Sequence, residues 1–244
     1  MKSPKLTIVI ISLNEEKSLP LLLGDLATQS WTDFEIIHVD SNSDDNTLHV
    51  SETARVKFKD YRIVTMQRRG VSLGRNTGAL HARGERLLFL DSDTRLARDF
   101  LENAMTELQD RHLDAGIVCM SAEGLGIAYR VGFALFNAGI CAMSFWFPTA
   151  VGACLFSTPE LHHAIGGFDE KISLCEDCNY VLKAHHSKSH KTGVIKSKFR
   201  FDPRRLKQDG FLRTGFTYFR ANLRRFFIGE LQNQEIPYRF GHYG

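Results

Sequence analysis

Asp91 and Asp93 close the run Arg86-Leu-Leu-Phe-Leu-Asp91-Ser92-Asp93, two carboxylates held one small residue apart behind a stretch suited to a buried strand. Side chains alternate along a strand, so positions two apart face the same way. Two hard oxygen ligands on one side suit Mg²⁺ or Mn²⁺. A cation in such a place commonly neutralises a diphosphate. Taken alone, Asp-x-Asp also describes the polar turn after an ordinary strand. The elements around it have to decide.

Leu6 to Ile11 is continuous and β-branched, which predicts a buried strand ending at Ser12-Leu-Asn14-Glu15-Glu16. Leu19, Leu22, Leu23 and Leu26 then fall on one helical face. A second strand, Glu35 to Asp40, runs into the polar cluster Ser41-Asn-Ser-Asp-Asp-Asn-Thr47. Arg62 to Met66 is a third strand, Ser72 to Ala82 a helix closed by Gly84, Leu87 to Leu90 a fourth strand, and Asp99 to Gln109 a further helix. Strands alternating with helices predict an α/β fold with a mostly parallel sheet. Ligands of such sheets sit outside the carboxyl ends of the strands. Here three strand ends carry polar or acidic groups: Ser12 to Glu16, Asp40, and Asp91 to Asp93. No Gly-x-Gly-x-x-Gly or phosphate-loop sequence follows the first strand, which argues against dinucleotide oxidoreductases and P-loop NTPases.

Each of these residues also has a plainer explanation. Asp40 could begin a turn or cap a helix. Arg75 and Asn76 could be surface positions of a helix. Glu176-Asp177 could be an acidic first turn favoured by the helix dipole. Cys175-Glu-Asp-Cys178 could bind zinc or do redox chemistry, but no second cysteine pair exists, and two small apolar side chains packing beside the acids explains it more simply.

Composition excludes some classes. A net charge of +3 over 244 residues gives no reason to expect a nucleic-acid partner. Five cysteines without framework spacing fit a reducing compartment. The start, Met-Lys-Ser-Pro-Lys, leads straight into a strand without a leader pattern, so a cytoplasmic location is expected.

In order and spacing, these pieces resemble the family-two glycosyltransferases of the GT-A fold. The resemblance is carried by Thr7 to Glu16, Val39 to Thr47, Gly74-Arg75-Asn76-Thr-Gly78, Ala82-Arg-Gly84, Leu88-Phe-Leu-Asp91-Ser92-Asp93, Gly166-Gly-Phe-Asp-Glu170 and Glu176-Asp177. Ser41-Asn-Ser43 stands where many members have Asp-Gly-Ser, and Lys183 where an Arg is common. The resemblance implies transfer of a sugar, with inversion, from a nucleotide-diphosphate sugar such as a UDP- or GDP-sugar to an acceptor hydroxyl. It implies that Ser12, Asn14, Glu16, Asp40, Arg75, Asp91 and Ser92 hold the donor. Asp40 would accept from the base, and Arg75 would pair with Asp91 or a phosphate. Asp93, with Asp91, would hold Mn²⁺ or Mg²⁺. Asp177 would be the general base, with Glu176 beside it. Two rivals remain: a nucleotidyltransferase, which would release pyrophosphate, and a non-catalytic nucleotide-sugar-binding protein.

The motifs leave two segments unexplained. From Val131 to Pro159 there is no charged residue. A spanning helix there would separate Asp93 from Asp177, so a flap near the acceptor, a membrane-surface element and core packing are the alternatives for residues 127–147. In residues 211–227, Leu212, Phe216, Phe219, Leu223 and Phe226 recur at helical spacing beside Arg213, Thr217, Arg220 and Arg224. Aromatics beside arginine suit an anionic membrane interface, and Arg204-Arg205 would add charge. A helix docked on its own domain is the other reading. The expected organisation is one catalytic domain over 1–200, with a nucleotide-binding half to about 120 and an acceptor half after it. Residues 201–244 then form a basic, aromatic extension, and the enzyme would lie peripherally on the inner membrane face.

Overall fold

The computed structural model describes residues 3–172, 174–201 and 211–231. Among them a mixed sheet of eight strands runs in the order β3-β2-β1-β4-β7-β6-β8-β5. Its first half is β1 (Leu6–Ser12), β2 (Phe34–Asp40), β3 (Tyr61–Thr65) and β4 (Leu87–Asp91), all parallel. Every residue of β1 is buried, as an apolar strand covered on both faces must be. Helices α1 (Leu19–Ala27), α2 (Thr47–Arg55) and α3 (Val71–Leu80) connect these strands.

The parallel register decides what meets at the carboxyl edge. Ser12 lies beside Asp40, Asp40 beside Thr65, and Ile11 beside Asp91. The three polar strand ends therefore do share one edge. Strand β4 stops at Asp91, and Ser92-Asp93 is a turn into the two-residue strand β5 (Thr94–Arg95). The strand alternation expected to align Asp91 with Asp93 thus ends two residues short of Asp93 and does not apply.

Helix α3 reaches the sheet closely because its inner face is Ser72, Gly74 and Gly78. A Cβ at Gly78 would lie 2.2 Å from Val9 Cγ1. Gly78→Ala is therefore expected to push α3 off β1 and cost about 1–3 kcal/mol, read as a lower urea midpoint.

The second half of the sheet is less regular. After α4 (Phe100–Asp110) come β6 (Ala115–Ser121), α5 (Ile127–Met143), β7 (Cys154–Ser157), α6 (Pro159–Ala164), α7 (Glu176–His186) and β8 (Thr192–Phe201). Strand β7 runs antiparallel to both β4 and β6, and β6 pairs with β8 in parallel. The last described helix is α8 (Phe211–Ile228). Arg204 and Arg205 lie outside the described residues, as do the side chains of Leu212, Arg213 and Phe219.

Core packing of residues 127–147 does not hold. In α5 only Phe133 and Ile140 are buried, while Ile127, Val131 and Leu135 are exposed. The helix is tied to the end of β6 by Asn137, which donates to Met120 O at 2.8 Å and accepts from Met120 N at 3.2 Å. No described helix is long and apolar enough to cross a membrane.

Candidate active site

Arg75 is the centre of the site. It stands on the inner face of α3 and is 1% exposed. Its Nη1 donates to Glu176 Oε1 at 2.7 Å, and its Nη2 donates to Asp91 Oδ1 and to Gly152 O, each at 2.9 Å. The guanidinium also lies 5.1 Å from the centre of the Phe168 ring. One side chain therefore joins the end of β4, the loop before β7 and the start of α7. Burial opposes its charge, but Asp91, Glu176 and Asp177 outweigh burial and hold it protonated.

Asp177 is buried in the first turn of α7. A Cβ placed on Gly152 would sit 3.1 Å from Asp177 Cβ and 2.9 Å from Arg75 Nη2, so a bare glycine lets these groups converge. Burial, and then the neighbouring Glu176, push the Asp177 carboxyl up to about 7, against the opposing pull of Arg75 and Arg225. A carboxyl poised near neutrality among these charges suits proton transfer.

The motif residues around this centre mostly position it. Asn76 Nδ2 donates to Phe168 O at 2.9 Å, and its Oδ1 accepts from Phe168 N at 2.8 Å. Lys183 Nζ donates to Gly167 O at 2.6 Å. Phe168 in turn stacks on Tyr180 of α7, with ring centres 4.3 Å apart. The Gly-Gly-Phe segment is thus the pad between α3 and α7. Arg83 and Gly84 serve the opposite end of the sheet. Arg83 pairs with the buried Glu35 at 2.6 Å, and Gly84 N donates to Thr7 Oγ1 at 2.8 Å. Cys175 and Cys178 are free thiols in a small apolar cluster with Leu174, Ala221 and Leu231. This is the packing role expected of them.

The second group of residues laces the loop after β1 to the loop after β2. Asn14 N donates to Ser43 Oγ at 3.0 Å, and Asp44 N donates to Asn14 Oδ1 at 2.8 Å. Glu16 Oε2 accepts from Asn46 N at 3.1 Å and Asn46 Nδ2 at 2.9 Å. Asp40 is fully covered. Its Oδ1 accepts from Ser43 Oγ at 2.5 Å and Ser12 Oγ at 3.2 Å, and its Oδ2 from Ser43 N at 2.9 Å.

Behind Asp40 runs a buried polar chain that the sequence reading missed. Ser12 Oγ meets His38 Nε2 at 2.7 Å, His38 Nδ1 meets Ser51 Oγ at 2.6 Å, and Ser51 Oγ meets Tyr61 OH at 2.8 Å. Burial pushes the His38 pKa down to about 4 despite Asp40 nearby, so the ring is neutral and can donate from one nitrogen while accepting at the other. The signal was available, because His38 is two residues before Asp40 on one strand and must share its face.

Arg225 was also missed. It lies on the inward face of α8 with Ala221, one residue out of phase with the arginine stripe. It pairs with Glu230 at 2.8 Å and 2.9 Å and stacks over Phe147 at 5.1 Å.

The described residues hold no group of three or more His, Cys, Asp or Glu side chains arranged for a metal ion. That donor count does not exclude a cation that shares a diphosphate, because Mg²⁺ typically takes only one or two carboxylates beside substrate phosphates and water. Asp91 fits this use. Its Oδ1 is held by Arg75, and its side chain remains 25% exposed.

A model of "Glycosyl transferase family 2" matches residues 7–131, just over half of the chain, and the chain belongs to that family. Among curated proteins it is 30% identical over 128 residues to the poly(ribitol-phosphate) beta-N-acetylglucosaminyltransferase TarS of Staphylococcus aureus, covering 50% of this chain but only 22% of that protein. Among solved structures, TarS 1–349 in complex with UDP-GlcNAc superposes with a TM-score of 0.65 at 21% identity, covering 80% of this chain and 58% of that one. The mannosyltransferase PcManGT of Pyrobaculum calidifontis, in complex with GDP-Man and Mn²⁺, gives 0.69 at 21% identity, covering 89% of this chain and 64% of that one. The fold is therefore of the GT-A type expected from the resemblance.

Proposed function

We propose that the protein transfers a sugar from a nucleotide-diphosphate sugar to an acceptor hydroxyl, with inversion at the anomeric carbon. The observation that carries this is Arg75, which ties Asp91 at the donor edge to Glu176 beside a carboxyl poised near pH 7. Asp177 is the general base. The acceptor oxygen bonds to the anomeric carbon, the bond from that carbon to the diphosphate oxygen breaks, and the acceptor proton passes to the Asp177 carboxylate. A base facing the leaving group implies one in-line displacement, hence inversion. Glu176 and Arg75 hold that base against the donor edge.

Ser12, Asn14, Glu16 and Asp40 shape the nucleoside side. Asp40 Oδ2 accepts one protein hydrogen bond and has capacity for a second, from the base, once the Ser43 side uncovers it. Asp93 with Asp91 would hold Mn²⁺ or Mg²⁺, and Ser92 sits between them. Such a cation supplies charge neutralisation for the departing diphosphate. The relatives' complexes with UDP-GlcNAc and GDP-Man support a UDP- or GDP-sugar as donor. The acceptor is proposed to belong to a lipid or membrane-associated glycan, with the enzyme peripheral on the cytoplasmic membrane face.

A thermal-shift panel of UDP- and GDP-sugars with and without Mn²⁺ tests this reading. A true donor raises the melting temperature by mass action, and the gain should grow with Mn²⁺. Asp93→Ala is expected to erase the Mn²⁺-dependent part and to abolish donor turnover. An unchanged Mn²⁺ response in that variant removes the metal role from Asp93. If no nucleotide sugar stabilises the wild type, the donor class is wrong.

A further inference from the structure

Resting on that reading, we propose that the outward faces of α8 and of the turn at residues 144–147 seat the enzyme on an anionic phospholipid bilayer. The inward face of α8 is settled by Ala221 and Arg225, both buried. At 100° per residue, Phe216, Arg220, Leu223 and Phe227 fall on the opposite side. All four are exposed. Phe227 is 73% exposed, and Trp146 on the neighbouring turn is 80% exposed. The two segments form one surface, because the Phe147 and Phe226 rings meet edge to face at 5.3 Å.

Charge selects the occupant. Residues 211–228 contain no acid, Arg220 is exposed on the outward face while Arg225 is turned inward, and residues 131–159 contain no charge at all. Exposed aromatics interleaved with arginine, without a carboxylate among them, match a negatively charged lipid surface, where Trp and Phe enter the headgroup boundary and Arg stays with the phosphates. An apolar patch of this kind calls for a partner. The surface is also continuous with the site. Arg225, whose charge bears on Asp177, stacks over Phe147 on the inner side of the same turn. Ala221 on the same inward face packs with Cys175 and Cys178, the residues that flank the proposed base, so membrane seating through α8 bears on the site.

Trp146 is the natural reporter, since the chain has only one other tryptophan, Trp31, which is half-buried near Phe34. In a Trp31→Phe background of the full chain, vesicles of mixed phosphatidylglycerol and phosphatidylcholine are expected to shift Trp146 emission to the blue. Brominated lipid should then quench it. Pure phosphatidylcholine should bind at least about tenfold more weakly, and Phe227→Ser and Arg220→Glu should each weaken binding about tenfold. Both variants should turn over donor in vesicle-free buffer at the wild-type rate. Absence of the blue shift, equal binding to both vesicle types, or a concentration-dependent dimer that Phe227→Ser dissociates would each overturn the proposal; the last would mean that a second copy covers this face. Vesicle binding without donor turnover in the wild type would instead remove the catalytic reading and leave the surface standing.

Discussion

Replacing Arg75 with methionine is expected to lower the unfolding free energy by about 3–5 kcal/mol, the cost of stripping one partner from a buried ion cluster. The residue is covered, and its two terminal nitrogens serve Glu176, Asp91 and Gly152 O together. Without it, the carboxylates of Asp91 and Glu176 face each other across a site that also holds Asp177. Methionine restores the volume but none of the charge. Arg75→Lys is expected to recover only part of the loss, because one compact ammonium cannot span acceptors that the planar fork reaches on separate sides. Arg75 Nε is buried with no partner among the described residues, so the cluster already bears a desolvation cost that only its acids justify. A urea titration reads this directly: the midpoint should fall sharply in Arg75→Met, with little change in slope. A midpoint equal to the wild type would mean that Arg75 does not tie these elements together.

The second large effect concerns Asp177, and it separates function from stability. Asp177→Asn is expected to lower donor turnover by about 10²- to 10⁴-fold, the usual contribution of a positioned base. The same change is expected to stabilise the fold above neutral pH. The sign follows from the pKa. In the unfolded chain the carboxyl ionises near 3.8, and in the folded protein near 7. Between these values the folded state holds a proton that the unfolded state has released, so stability falls as pH rises through this window. The penalty is absent below about pH 4, complete above about pH 7, and of the order of a few kcal/mol. An amide cannot ionise and escapes it. Melting temperatures at pH 5 and pH 8 should therefore converge in Asp177→Asn and diverge in the wild type.

Much of the carboxyl edge was legible in the sequence because a parallel sheet leaves few choices. Once Leu6–Ser12, Phe34–Asp40 and Leu87–Asp91 are read as neighbouring strands, their carboxyl ends must share an edge. The acid side was less legible. Nothing local in Gly152 or Phe168 announces that each touches Arg75, since those contacts join residues more than seventy positions apart. Just before β7, residues 151–153 turn so that Gly152 O and Ala153 O reach Arg75 and Thr94. The arginines near the C-terminus show the same limit. A stripe of exposed Arg220 beside exposed aromatics follows from helical spacing. The burial of Arg225 depends on Glu230 and Phe147, which lie beyond any helical repeat.

The relatives set the class but not the chemistry of this chain, which spans about a fifth of TarS. The central claim is that Asp177 takes the acceptor proton, and its most direct measurement is the pH dependence of donor turnover in wild type and Asp177→Asn. The donor is the one selected by thermal shift, and its binding is measured in parallel. The wild type should show an acid limb with a midpoint near pH 7. The variant should bind donor within about twofold of wild type and lose turnover by at least about a hundredfold at every pH. Turnover in Asp177→Asn equal to the wild type, with the limb near pH 7 intact, would contradict the account and place the base on another residue.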